Sequence, residues 1–149
     1  EEEYKKKNKQ KKRPKYYISN SDMMKELVIF YDTGQFTEQL AQYFHKIVEG
    51  ISHAPNFVNY SYNDEMKGDA LLRMVMAVND KTFDLSREDK AFAYFTMIAW
   101  RAFQNRIKIE KKIYEGVEDY KNKVFEDYRS EYNIDITTNN DSITVDDYE

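Results

Sequence analysis

Cations and side-chain amides crowd one short stretch of this 149-residue chain: Arg101, Gln104, Asn105, Arg106, Lys108, Lys111 and Lys112. Guanidinium and ammonium groups neutralise phosphate, while the amides of Gln and Asn match the donor and acceptor edges of bases. Just upstream stand Tyr94, Met97 and Trp100, with Phe92 before them and Phe95 among them. An aromatic face returns about 1–3 kcal/mol when an extruded base stacks on it, which offsets an unstacking cost of a few kcal/mol. Side chains of these types together suit contact with a nucleic acid. Arg101 and Gln104 are the expected base-edge contacts, and Arg106, Lys108, Lys111 and Lys112 the expected phosphate contacts. Phe95 and Phe103 are read as core, and a solvated helix end is the rival reading of the cations.

Residues for a reaction are not concentrated anywhere. His45 and Glu49 lie one helical turn apart, but His45 has no second His at metal-binding spacing, and the chain has no Cys. The acid pairs Asp64 with Glu65 and Asp146 with Asp147 sit in charged stretches where solvated carboxylates are the default. A nucleophile beside a base, or a phosphate-cradling Gly loop, is not evident. The expectation is a non-enzymatic protein with no catalytic residue, no metal and no cofactor.

These side chains need helices to position them. Gly is limited to Gly34, Gly50, Gly68 and Gly116, and Pro to Pro14 and Pro55, so long stretches run without a breaker. A first helix is expected after Ser21, with Met24, Leu27, Val28 and Tyr31 on one face and Gly34 at its end. Thr37 caps a second, which carries Leu40, Phe44, Ile47, Val48 and Ile51. An aromatic, Asn-rich connection from Asn56 to Asn63 leads to a third, lined by Met66, Ala70, Met74, Ala77 and Val78 and closed by Asn79 and Asp80. The longest runs from Asp89 to Lys112, with Phe92, Phe95, Ala99, Ala102, Phe103 and Arg106 at helical spacing. A last charged segment, Tyr114 to Tyr132, alternates Val117, Tyr120, Val124 and Tyr128 with acids and bases.

The formal net charge of −4 conceals an asymmetry between the ends. Seven Lys and one Arg fall between Tyr4 and Lys15, whereas acids prevail after Lys112. The expected organisation is all-α: a disordered basic arm (1–15), a compact helical domain (16–113), and a charged helix with an acidic tail (114–149). No apolar run approaches the roughly 18 residues of a membrane span, and the N-terminus is charged, so a soluble, cytoplasmic protein without membrane contact is expected.

Two adjacent helices also carry a resemblance. The run from Glu65 through Asp69 to Ala77 and Val78, followed by Phe83 and Asp84, resembles the polymerase-binding helix of sigma factors: an acid, an apolar residue, a second acid, apolar residues to an Ala-Val, then a Phe-Asp. The run Ala93, Tyr94, Thr96, Trp100 to Phe103, Arg106, Ile107 and Lys108 resembles the adjoining helix that melts and reads the minus-ten promoter element. Together they are similar to region 2 of the sigma-70 superfamily, and most similar to the late-transcription sigma factors of T-even-type bacteriophages. Arg13 and Pro14, and the Ala54-Pro55 to Tyr60 lead-in, fit the same pattern. The chain departs from housekeeping sigma factors at Met97 and Ile98, where those have paired Trp, and at Arg73, where their helix has Gly.

The resemblance implies a transcription initiation subunit in the cytoplasm of an infected bacterium. Glu65, Asp69, Leu72, Arg73 and Val75 would dock on the coiled coil of the host core RNA polymerase's largest subunit. Tyr94, Met97, Trp100, Arg101, Gln104, Asn105, Arg106, Lys108, Lys111 and Lys112 would face promoter DNA. In these relatives the replication sliding clamp grips an acidic, apolar C-terminal motif, which here would be Ile143, Val145 and Tyr148, and a late co-activator takes part. The rival for the acids of the third helix is plain stabilisation of its positive dipole end. The rival for the whole chain is a free-standing helical nucleic-acid-binding or adaptor protein that uses the arm from Lys5 to Lys15.

Overall fold

The computed structural model describes residues 18–132, and no strand occurs among them. The fold is all-α, built from α1 (Asn20–Thr33), α2 (Glu38–Ser52), α3 (Asn63–Asn79) and α4 (Ala91–Glu131). The chain divides into two units between Lys108 and Ile109. The expected basic arm (1–15) and the clamp-binding residues Ile143, Val145 and Tyr148 lie outside the described residues.

In the first unit, α1 begins slightly earlier than expected because Ser19 rather than Ser21 caps it, accepting the Asp22 N–H at 3.0 Å. Its inward face is Met23, Met24, Leu27 and Phe30, while Val28 is exposed. Two stripes share Leu27 in this sequence, and the one through Met23 and Phe30 buries the larger side chain. The helix stops at Gly34, whose φ of 71° lets its N–H reach the Phe30 carbonyl at 2.7 Å. A Cβ there would meet nothing within 4 Å, so the cost of a side chain is purely conformational. Gly34→Ala should therefore lower unfolding stability by about 1–2 kcal/mol, and Gly34→Asn by less, in urea titrations.

Thr37 caps α2 as its sequence requires, accepting the Leu40 N–H at 3.2 Å, and its own hydroxyl donates to Glu26 of α1. Phe36, just before the cap, packs edge-on against Phe30 and Phe44, each with ring centroids 5.9 Å apart. The five expected apolar residues of α2, Leu40, Phe44, Ile47, Val48 and Ile51, are all buried. In the connection to α3, Phe57 is 2% exposed, and the Asn63 amide donates to the carbonyls of Ser52 and Phe57, both at 3.1 Å. Lys67 ties α3 to Glu49 of α2 at 3.3 Å and also bonds Asp64 at 2.9 Å. Those two carboxylates hold its ammonium above the usual lysine range. From α1, the Tyr31 hydroxyl donates to the Phe83 carbonyl at 3.0 Å and accepts the Phe83 N–H at 3.2 Å, and burial pushes that phenol up.

The core side of α4 is Ala91, Phe95, Ala99, Ala102 and Phe103. Phe95 meets Phe44 at 4.9 Å, and Phe103 meets Phe57 at 5.0 Å, so α4 closes the core over α2 and the connection before α3.

The second unit, described by itself, is helical as far as Glu131, with almost every residue exposed. Lys111 and Glu115 stand 3.9 Å apart, and Lys121 bonds Glu118 at 3.1 Å. The segment Tyr114 to Tyr132, read separately in the sequence, continues the helical hydrogen bonding of α4. Gly116 is the one Gly or Pro there, and its cost of about 1 kcal/mol relative to Ala does not end a helix. Among the described residues no helix is long and apolar enough to cross a membrane.

Candidate functional site

Met66, Ala70, Met74 and Val78 follow one another at four-residue intervals and turn one side of α3 into the core. Arithmetic at about 100° per residue then aims Glu65, Leu72 and Met76 directly outward. Leu72 is 61% and Met76 54% exposed, large apolar side chains on the outer side of the helix. Val75 and Leu71 turn toward α2, where they line a groove of about 580 Å³ with Phe36, Ala41 and His45. Met76 was not among the docking residues read from sequence, although its position four residues after Leu72 marks it.

Asp69 and Arg73 turn the other way, toward α4. Arg106 Nε donates to Asp69 Oδ2 at 2.7 Å and Arg106 Nη2 to Oδ1 at 2.9 Å, a two-pronged ion pair whose side chains are 23% and 29% exposed. Arg106, expected on phosphate, and Asp69, expected on a polymerase, hold α3 and α4 to each other. The cause is register: Arg106 follows Phe103 by three residues and Ala99 by seven, so it occupies the inner flank of α4.

The outward face of α4 in the first unit carries Met97, Arg101, Gln104 and Lys108, all exposed and spaced to recur on one side of the helix. The structure thus gathers four of the expected nucleic-acid contacts on one surface. Asn105 lies at its edge and helps line a groove of about 260 Å³ with Arg73, Arg101, Ala102, Gln104 and Lys108. Arg73, expected on the docking face, opens into this groove. Lys111 and Lys112 belong to the second unit, where both are exposed.

Tyr94 is half-buried. Its ring packs against Phe83 and Phe95, with centroids 5.1 and 5.2 Å away, and its hydroxyl shares a hydrogen bond with Thr82 at 2.8 Å. The remaining edge lines a groove of about 440 Å³ with Met97, Ala93, Arg87 and Lys90. Arg87 and Lys90, which the sequence reading did not include, also line it beside the Asp84 carboxylate, with Lys90 paired to Asp89 at 3.1 Å. Trp100 is not brought to the same surface. It sits about 100° round the helix from Arg101, edge-on to Phe57 at 4.8 Å, in a separate groove with Ile18, Ile51, Phe92 and Thr96.

Glu49, the possible partner of His45, is engaged by Lys67. Among the described residues no group of three or more His, Asp or Glu side chains gathers as metal ligands would. Comparison of the chain with protein-family models, curated proteins and solved structures finds no match.

Proposed function

We propose that this protein is a sigma factor of the phage late type: a subunit, without catalysis of its own, that binds host core RNA polymerase and recognises and melts a minus-ten-type promoter element. The observation that carries the reading is the pairing of two differently equipped surfaces on consecutive helices. The outer side of α3 is acidic and apolar through Glu65, Leu72 and Met76, and that of α4 is cationic and amide-bearing through Arg101, Gln104 and Lys108. An amphipathic helix face of the first kind suits a basic coiled coil. The second kind suits phosphate and base edges together, with the Tyr94 and Met97 groove beside it for an extruded base.

Discrimination of about 1–3 kcal/mol per base pair over one short element is small against a genome of competing sites. A tether that raises effective concentration is therefore part of the proposal, with the sliding clamp on Ile143, Val145 and Tyr148 and a late co-activator as partners. The test is to mix the full chain with core RNA polymerase, follow copurification, and measure run-off transcription from an AT-rich late promoter on linear and supercoiled template. The expected result is a stable complex that alone binds the promoter selectively. Tight sequence-selective duplex binding by the isolated chain, without polymerase, would instead favour the adaptor reading.

Within that complex, Gln104→Ala should change promoter preference by about 1–3 kcal/mol at one position, whereas Lys111→Ala should weaken all DNA alike. Competition binding on a panel of single-base promoter variants separates these effects. Equal losses on every sequence for both variants would refute the division between reading and anchoring.

A further inference from the structure

We propose that the α3–α4 groove is a phosphate-binding site for a nucleic-acid backbone, in which Arg73 acts with Arg101 and Lys108. The inference rests on the nucleic-acid half of the reading above and is independent of the polymerase half. Arg73 lies on the helix assigned to docking, yet it lines this groove together with the α4 cations. No carboxylate lines the groove. The acid nearest in sequence on that side of α3 is Asp69, and both its oxygens are already bonded by Arg106.

Among the described residues, no ion pair or hydrogen bond engages the side chains of Arg73, Arg101 or Lys108. Three like charges around one concavity repel one another, and an anion relieves all of them together. Two guanidinium forks match phosphate oxygens in geometry, and the Asn105 amide adds an uncharged donor. At about 260 Å³ the groove falls below the roughly 300–1,000 Å³ of small-molecule pockets, a size suited to one phosphate rather than a whole cofactor. Arg73, exposed on α3, therefore works as a backbone contact rather than a docking residue, and Arg101, expected on a base edge, joins it on the backbone.

The test uses the full chain without polymerase. A labelled single-stranded DNA of mixed sequence is titrated across NaCl concentrations, starting at low ionic strength. Arg73→Gln, Arg101→Gln and Lys108→Gln should each reduce the slope of log K against log salt by about 0.7, the value for one lost phosphate contact. Lys46→Gln, an exposed cation of α2 outside this groove, should leave the slope unchanged. Thermal unfolding midpoints matching the parent's would certify that the variants fold.

A parental slope for Arg73→Gln, while the two α4 variants lose theirs, would overturn the proposal, as would no measurable binding by the parent at low salt. Inorganic phosphate should compete with the oligonucleotide. Saturation by inorganic phosphate that the oligonucleotide cannot displace would assign the groove to a free anion and also overturn it. Loss of copurification with polymerase by the parent chain would sink the sigma reading and leave this measurement intact.

Discussion

Phe95→Ala should destabilise the first unit by about 3–5 kcal/mol, the usual range for removing a fully buried ring from a core. Phe95 is 0% exposed, and its ring lies 4.9 Å from Phe44, 5.2 Å from Tyr94 and 6.0 Å from Phe83. It is the point at which α2, α4 and the connection between α3 and α4 meet, so collapse around the cavity would have to move several elements at once. Single domains are stable by only about 5–15 kcal/mol, so the loss would show as a fall in melting temperature of about 10–30 °C. Phe95→Leu, closer in volume, should lose under about half as much. Phe125→Ala provides the contrast, because that ring is 57% exposed in the second unit and its removal should stay within about 0.5 kcal/mol. Equal effects of Phe95→Ala and Phe125→Ala would refute the core described here. Melting of the Phe95 variant should also unmake both faces of the proposed interface, because each is held in place from beneath by this cluster.

How legible this was differs by element. The cap at Thr37 and the buried stripe of α2 follow from local rules: a hydroxyl before the first turn, then apolar residues at helical spacing through Ile51. The stop at Gly34 is equally local. The first helix is harder, because Met24 with Val28 and Met23 with Phe30 define two stripes through Leu27, and the fold buries Met23, Met24, Leu27 and Phe30 while it leaves Val28 exposed. The end of α4 was misread because a change from aromatic to charged composition looks like a boundary, whereas backbone hydrogen bonding is indifferent to it.

For the site, the spacing of Met97, Arg101, Gln104 and Lys108 is visible in the sequence, since they recur on one side of a single helix. Which of the neighbouring charges were already committed was not visible. Asp69 and Arg106 are separated by 37 positions, and no local pattern pairs them. The periodicity did hold one clue: Arg106 was grouped with Phe95, Ala99 and Phe103 on the core-facing side, a location where a cation needs a partner. Likewise Arg73 departs from the Gly of the resembling helix, and a sequence alone gives no reason for the change. In the folded chain that residue borders a cationic groove.

That commitment of Asp69 gives the second large effect. Asp69→Ala should cost about 2–3 kcal/mol, because it removes the two-pronged carboxylate partner of a guanidinium that is about three-quarters buried. The figure is set below the 3–5 kcal/mol of a fully buried pair because water still reaches both side chains. Reversing both charges together, Asp69→Arg with Arg106→Asp, should recover more than half of the loss, whereas Asp69→Arg alone should cost more than Asp69→Ala. Urea unfolding of the four proteins closes a double-mutant cycle, and a coupling energy near zero would show that the pair does not hold α3 to α4. The same swap separates structure from docking. If the Asp69 carboxylate bound polymerase directly, the swapped protein would fold and yet fail to associate, because its charge at that position is reversed. With Asp69 facing Arg106, association should instead stay within about threefold of the parent. Glu65→Lys, on the outward side of α3, should fold normally and weaken association by at least about tenfold. The opposite pattern, a swap that folds but does not bind beside a Glu65→Lys that does, would move the docking surface off the outer face of α3 and onto its α4 flank.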